Sequence, residues 1–132
     1  MNMTPEILEF AHILLEEVRD AAISSCDNEL HPDAKSPIAK RWRAARAISA
    51  SELARVMVSD CVDKAIFQLL AAIDGETLKL SFVASSGKTV DLTAEGLGEL
   101  GGWFMGSGGW RAMFAKERFV DDFADLLGED GA

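Results

Sequence analysis

The sequence predicts a single α+β domain that is mostly helical, with about five helices and one antiparallel β-hairpin near residues 77–93. Over most of the chain, apolar residues recur at steps of three and four, which is the period of an amphipathic helix. Near the predicted hairpin they alternate with polar residues, which is the period of a half-buried strand. The chain has 132 residues, of which 48% are hydrophobic, so it can bury one ordinary core. We therefore expect one domain over residues 1–132, with a polar tail at 128–132.

The first predicted element is a helix near residues 5–25. Thr4 suits the N-cap position because its hydroxyl can accept a backbone N–H, and Pro5 suits the first turn, where its missing N–H loses no bond. Its apolar residues recur at steps of three and four and so share one helical face, which includes Ile7, Leu14, Val18 and Ala21.

A second helix begins by the same logic at Ser36 and Pro37, and it carries a basic cluster at residues 40–46. Residues 37–48 contain four basic side chains and no acid, whereas residues 1–36 contain eight acids and two bases. We expect the basic helix to dock against the acidic first helix, because their charges complement one another. The acidic residues expected to face it are Glu16, Glu17 and Asp20.

The longest predicted helix lies near residues 50–74. Ser49 and Glu52 have the three-residue separation of a capping box, in which each side chain satisfies a backbone N–H at the start of a helix. Asp74 and Gly75 end it, since glycine readily adopts the conformations that close a helix. Its apolar residues cover a wide arc, so we expect it to be the central and most buried helix.

Residues 77–84 and 88–93 form the predicted hairpin, with Leu78, Leu80 and Phe82 on its buried face. Two strands alone are barely stable in water, so the hairpin must lie against the helices or pair with another chain. An unpaired strand edge can receive a strand from a second copy, so self-association into a homo-oligomer through this edge is an expected companion of any other function.

A glycine-rich loop at residues 96–110 follows the hairpin and holds seven of the eleven glycines. Its segment GLGELG matches the spelling of a dinucleotide-binding motif, but the strand and helix that this motif requires are missing, so no cofactor is predicted. The segment at residues 106–111 could hold an anion through a flexible loop and an arginine. The interpretation we favour is that glycine lets bulky side chains fold back onto the core or a partner, and these side chains are Trp103, Phe104 and Trp110.

Two helices are predicted after the loop. Their apolar residues are Trp110, Met113 and Phe114 in a short helix, and Phe119, Phe123, Leu126 and Leu127 in the last one. Beyond them the sequence GEDGA is polar, which is typical of a frayed terminus.

Asp60, Asp63 and Lys64 interrupt the apolar surface of the longest helix. The simplest interpretation is a surface ion pair, because Asp60 and Lys64 have the i, i+4 order that favours one. Alternatively, the two aspartates line a cleft in which paired carboxylates exchange protons or bind a cationic group. No nucleophile with a neighbouring base accompanies them, so the sequence predicts no catalytic residue.

No metal site is predicted. Glu9 and His12 have the E-x-x-H spacing of carboxylate-bridged metal centres, but such a centre needs a second pair of this kind and two further glutamates. Cys26 and Cys61 lie far apart in predicted helices, so we expect reduced thiols in a cytoplasmic chain rather than a disulfide-bonded secreted one.

The charge and the apolar runs limit the classes of partner. The formal net charge is −9, which repels phosphate backbones, so nucleic acid is not an expected partner despite the basic cluster. No apolar run approaches the roughly 20 residues that cross a bilayer, so no membrane partner is expected either.

These features lead us to expect a non-catalytic cytoplasmic interaction protein of the regulatory, adaptor or immunity type. It would bind a basic protein partner through an acidic surface and the aromatic residues of the loop. The alternative is a small-molecule or anion-binding protein, or an enzyme, with a pocket between the glycine-rich loop and the longest helix. The binding residues considered under the two hypotheses are Trp103, Phe104, Trp110, Arg111, Asp60 and Asp63.

Overall fold

The computed structural model describes residues 2–123, which fold into a mostly helical α+β domain with one antiparallel hairpin. The predicted fold class is therefore confirmed. In chain order the elements are α1 (Pro5–Ile13), a π-helical segment (Leu14–Asp20), α2 (Ala21–Glu29), α3 (Pro37–Ile48), α4 (Ala50–Asp74), β1 (Ser81–Val83), β2 (Thr89–Asp91), α5 (Leu92–Gly96), α6 (Leu100–Met105) and α7 (Trp110–Phe114). The predicted polar tail and the predicted helical residues Leu126 and Leu127 lie outside the described residues.

The N-terminal helix is continuous, because α1, the π-helical segment and α2 follow one another without a break. It begins as predicted, with the Thr4 hydroxyl accepting a hydrogen bond from the backbone N–H of Ile7 at 3.2 Å. Val18, in the π-helical segment, is buried and forms an apolar cluster with Ala72 and Leu78. This cluster holds the N-terminal helix against the end of α4 and the chain that follows it.

α4 is the central helix, as predicted, since it contacts the π-helical segment, α2, α3, α5 and α6. The prediction that it is the most buried helix is wrong, because the 12-residue α3 buries as many side chains as the 25-residue α4. On α4, Val58 and Val62 are each 53% exposed. The apolar arc of α4 is wider than the area that its neighbours cover, so part of it faces solvent.

The hairpin is shorter than predicted, with three residues in each strand and Phe82 opposite Val90. The backbone N–H of Leu78 donates to the Ala72 carbonyl oxygen at 3.1 Å, so the chain before β1 bonds to the end of α4 instead of extending the strand. The predicted buried face is correct at Leu78, which is 5% exposed, and wrong at Phe82, which is 51% exposed. The base of the hairpin lies on the helices, and its strands face solvent.

The last helix predicted from Phe119 is wrong for the part of the chain that the structure describes, because residues 115–123 are not helical. Arg118 has a φ of 46°, a left-handed conformation that a right-handed helix does not contain. α7 ends at Phe114, because the backbone of Ala115 is extended. Beyond the turn, the Phe119 ring lies against the guanidinium group of Arg111, with its centroid 4.9 Å from the guanidinium carbon.

α3 packs on α4, so the predicted docking of the basic helix on the acidic N-terminal helix is wrong. Arg41 of α3 pairs with Asp60 of α4 at 2.9 Å, and Lys64 of α4 pairs with Glu29 of α2 at 3.3 Å. These two ion pairs, each between different helices, form instead of the predicted Asp60–Lys64 pair within α4. α4 thus carries a carboxylate that pairs with the basic helix α3 and an ammonium group that pairs with the acidic helix α2. Both helices pack on α4.

Candidate interaction surface

The Asp60 carboxylate lies within the contact between α3 and α4, where the residue is 8% exposed. It accepts a hydrogen bond from the indole N–H of Trp42 at 2.7 Å, and two from Nε and Nη2 of Arg41 at 3.2 and 2.9 Å. Hydrogen bonds to an ionised group are stronger than those between neutral groups. Asp60 therefore supports the packing of α3 on α4, and its carboxylate is already engaged within the chain.

Arg41 extends this cluster to the C-terminal part of the described chain, because its Nη1 donates to Asp122 at 2.6 Å. Burial alone would lower the pKa of Arg41, but its bonds to Asp122 and Asp60 raise that pKa above the ordinary value. The guanidinium group therefore stays charged, and it links α3, α4 and the segment that follows α7.

Arg111 pairs with Asp63, the other predicted aspartate, as Arg41 pairs with Asp60. The Arg111 residue is 7% exposed. Its Nη1 donates to Asp63 at 3.1 Å, while Nε and Nη2 donate to the carbonyl oxygens of Phe104 and Met105 at 3.2 and 3.1 Å. The guanidinium carbon also lies 5.6 Å from the centroid of the Phe104 ring, on which a cation is favourably placed. Arg111 therefore fastens α7 to both α6 and α4.

Asp63 lies at the edge of this arrangement. Burial raises the pKa of Asp63, and the hydrogen bond from Arg111 opposes that shift. Two cavities of about 200 and 260 Å³ lie nearby, the first against Asp63 and Arg111 and the second against Asp60. Both are smaller than the roughly 300 to 1,000 Å³ of most small-molecule sites. The charged groups that a ligand would need there already have partners within the chain.

Asp74 binds the backbone of the GLGELG segment at the start of α6. Its two carboxylate oxygens accept hydrogen bonds from the backbone N–H groups of Leu100 and Gly101, at 3.0 and 2.9 Å. These are the donors at the start of α6 that a bound anion would use. A side chain of the same protein therefore occupies the position that the dinucleotide interpretation assigns to a phosphate.

Gly109 holds the glycine-rich loop in a conformation that leaves no room for a side chain. A Cβ atom at this position would lie 2.1 Å from the Trp103 carbonyl oxygen and 2.9 Å from that of Gly106. We expect Gly109→Ala to lower the free energy of unfolding by about 2 kcal/mol or more, because two backbone segments must move apart. Urea unfolding measures this loss.

Gly102 provides the matched control for Gly109, because a Cβ atom there meets no atom within 4 Å. Gly102→Ala lies within α6 and should leave the protein as stable as wild type, or more stable by up to about 1 kcal/mol, since alanine favours a helix over glycine. Equal stability of the two variants would contradict the close approach at Gly109.

The structure divides the six predicted binding residues into an internal group and an exposed group. The internal group, which supports the fold, consists of Asp60, Asp63, Phe104 and Arg111. Trp103 is 38% exposed, and its ring lies 6.1 Å from that of Trp110 at an interplanar angle of 47°. Trp110 is half-buried, so Trp103 is the exposed ring of this tilted pair, and the two tryptophans are the predicted residues that a partner could touch.

Two further exposed residues, Met113 and Phe114, were not among the predicted binding residues. They are 63% and 70% exposed. Both follow Trp110 on α7 at the i+3 and i+4 positions, which lie on the same face of a helix. We call the surface formed by Trp103, Trp110, Met113 and Phe114 the aromatic face. This spacing is visible in the sequence and predicted the short helix, but it could not show that this side of α7 faces solvent, because that depends on the inward packing of Arg111.

The described residues 2–123 contain no group of three or more His, Cys, Asp or Glu side chains arranged to hold a metal ion. His12 pairs with Glu16 at 2.6 Å on the exposed side of the N-terminal helix. Within the same residues, no helix combines the length and the apolar character that crossing a membrane requires. Comparison with known proteins gives no match to a protein-family model, to a curated protein or to a solved structure.

Proposed function

We propose that this protein is a non-catalytic interaction module of the cytoplasm that binds a basic protein through the aromatic face. The observation that carries this proposal is the exposure of Met113 and Phe114, at 63% and 70%, beside the paired rings of Trp103 and Trp110. Aromatic residues and methionine are enriched in protein interfaces, and tryptophan is a frequent hot spot there. A regulatory, adaptor or immunity protein would use such a surface.

The way in which α7 is held supports this proposal. A five-residue helix is too short to be stable by itself, so its position depends on tertiary contacts. Buried Arg111 supplies them through Asp63 of α4 and the carbonyl oxygens of Phe104 and Met105. A rigid surface loses little conformational freedom when it binds, which favours affinity.

The charge distribution supports a basic partner. The net charge is −9, and three of the basic side chains, Arg41, Lys64 and Arg111, are mostly buried in ion pairs with aspartates or a glutamate. Each of these pairs engages at least one acid together with its base, so the charge outside them stays strongly negative. An acidic protein attracts a basic one over distances of about 10 Å at moderate salt, which speeds their association.

Photo-crosslinking tests the proposal whatever the identity of the partner. A benzophenone amino acid is placed at Met113 and, as a control, at Ile48, an apolar residue at the end of α3 that is 75% exposed. We expect irradiation in the cell to link position 113 to one basic polypeptide and position 48 to none. Equal labelling from both positions, or none from either, would contradict the proposal.

The partner found in this way allows a quantitative test at Trp103. Trp103→Ala should weaken the complex by about 2 kcal/mol or more, which is about a 30-fold rise in Kd, and should leave the melting temperature close to that of wild type. A variant that unfolds instead would show that Trp103 stabilises the core, and the interface would then not include it.

Self-association through the hairpin is a separate proposal with its own probe. Phe82 and Val83 of β1 are 51% and 68% exposed, and β1 pairs with β2 on one edge. A benzophenone at Val83 should link two copies of the chain if the hairpin edge forms a dimer, and a monomer in sedimentation equilibrium at micromolar concentration would contradict this.

A further inference from the structure

Cys26 and Cys61 lie in contact although 35 residues separate them in the sequence. Cys26 is on α2 and Cys61 is on α4, and their sulfur atoms are 2.9 Å apart. Both are free thiols and both are partly exposed. The two helices are packed against each other here, so the contact is part of the fold.

We propose that Cys26 and Cys61 form a redox-active dithiol that small disulfides such as oxidised glutathione convert into an intramolecular disulfide. This inference does not depend on the aromatic face or on its partner. A disulfide bond has a length of about 2.05 Å, so the two sulfur atoms need to approach each other by less than about 1 Å. Side-chain rotation can provide that movement while the helices stay packed.

An apolar groove gives reagents access to the pair. It has a volume of about 380 Å³ and is lined by both cysteines together with side chains of the N-terminal helix, including Val18, Ala22 and Ile23. Ile23 is 45% exposed, so the groove opens to solvent. A small disulfide can therefore reach the sulfur atoms without unfolding of the protein.

Burial, together with the hydrogen bond to Cys26, raises the pKa of Cys61 to about 12, so Cys61 is a protonated thiol at neutral pH. The thiolate is the nucleophile in disulfide exchange, so the raised pKa disfavours a first attack by Cys61, and we assign that step to Cys26. The Cys26 sulfur gives up its proton to water and attacks one sulfur of oxidised glutathione. The disulfide bond of the glutathione breaks, and one glutathione leaves as a thiolate that takes up a proton from water.

The second step closes the intramolecular disulfide. Cys61 transfers its proton to the departing glutathione sulfur and attacks the Cys26 sulfur, which expels the second glutathione. In total the two protein thiols lose two electrons and two protons, and oxidised glutathione becomes two molecules of its thiol. The product links α2 covalently to α4.

The disulfide should raise thermal stability, because it closes a long loop and restricts the unfolded chain. For a loop of 35 residues in a domain of this size, we expect the melting temperature to rise by about 10 °C on oxidation. Dithiothreitol should reverse the rise. This measurement uses the wild-type protein, so it does not depend on whether a cysteine variant folds.

Mass spectrometry tests the proposal directly. Native protein is incubated with an excess of oxidised glutathione, unreacted thiols are blocked with N-ethylmaleimide, and the chain is then denatured and weighed. We expect a mass lower by two hydrogens with no maleimide added, and a peptide map that joins Cys26 to Cys61. C61S should stop at a mixed disulfide of Cys26 with glutathione.

Two outcomes would overturn the proposal. One is a wild-type protein that retains the mixed glutathione adduct, since Cys61 would then fail to displace it. The other is a native protein that accepts two maleimides after oxidation, whereas the urea-unfolded chain forms the disulfide, since the folded contact would then hold the thiols apart.

Discussion

Replacing Asp60 with alanine is expected to lower the free energy of unfolding by about 3 to 5 kcal/mol, because it removes one partner of a buried ion pair. The change leaves the indole N–H of Trp42 and Nε of Arg41 without their acceptor, and Nη2 of Arg41 keeps only its longer bond to Asp122, at 3.3 Å. Domains of this kind are stable by only about 5 to 15 kcal/mol, so the midpoint of urea unfolding should fall markedly.

Glu95 is the control for Asp60, because its ion pair with Lys88 is exposed on both sides. Glu95→Ala should change stability by about 0.5 kcal/mol or less, as is usual for exposed pairs. If Asp60→Ala were as stable as the control and lost a bound small molecule, Asp60 would belong to a ligand site, as the alternative hypothesis states.

Replacing Arg111 with alanine is expected to cost a similar amount, about 3 to 5 kcal/mol, for a related reason. The change leaves the Asp63 carboxylate without its cation, and the carbonyl oxygens of Phe104 and Met105 without a donor. It also empties the space between the rings of Phe104 and Phe119. Urea unfolding followed by far-UV circular dichroism measures the loss.

Arg111→Lys separates the effect of the planar guanidinium geometry from the effect of the positive charge. Lysine keeps the positive charge but lacks the planar fork that reaches three oxygens at once, so we expect it to recover less than half of the lost stability. Arg55→Ala is the control, since the Arg55 side chain is 60% exposed and should be replaceable within about 0.5 kcal/mol. Wild-type stability of Arg111→Lys would show that charge alone holds α7.

The beginnings of the long helices could be predicted from the sequence because each depends on a few neighbouring residues. Ser36 and Ser49 accept hydrogen bonds from the backbone N–H groups of Ala39 and Glu52, each at 3.0 Å, in the geometry that capping requires. The choice of partners between helices could not be predicted in this way. Asp60 has Lys64 at a favourable local spacing, yet the fold places Arg41 closer to it.

The candidate site was predicted in part. The composition of the glycine-rich loop singled out Trp103, which is exposed, and Trp110, which is half-buried beside it, but it could not separate them from Phe104, which is 8% exposed. The difference depends on which side of α6 faces α4, and that is a tertiary property. The contact of Cys26 with Cys61 was missed for the same reason, because a separation of 35 residues carries no information about distance in space.

In the proposed function, the aromatic face binds another protein while Arg111 holds that face in place. A native mass spectrum of the protein purified gently from its own cells tests this binding, with Phe114→Asp as the variant, since Phe114 is 70% exposed and we expect its replacement to leave the fold intact. We predict that the wild-type chain carries a second, basic polypeptide and that Phe114→Asp, at an unchanged melting temperature, does not. A complex that survives in the variant, or a mass excess of a small molecule instead of a polypeptide, would contradict the account.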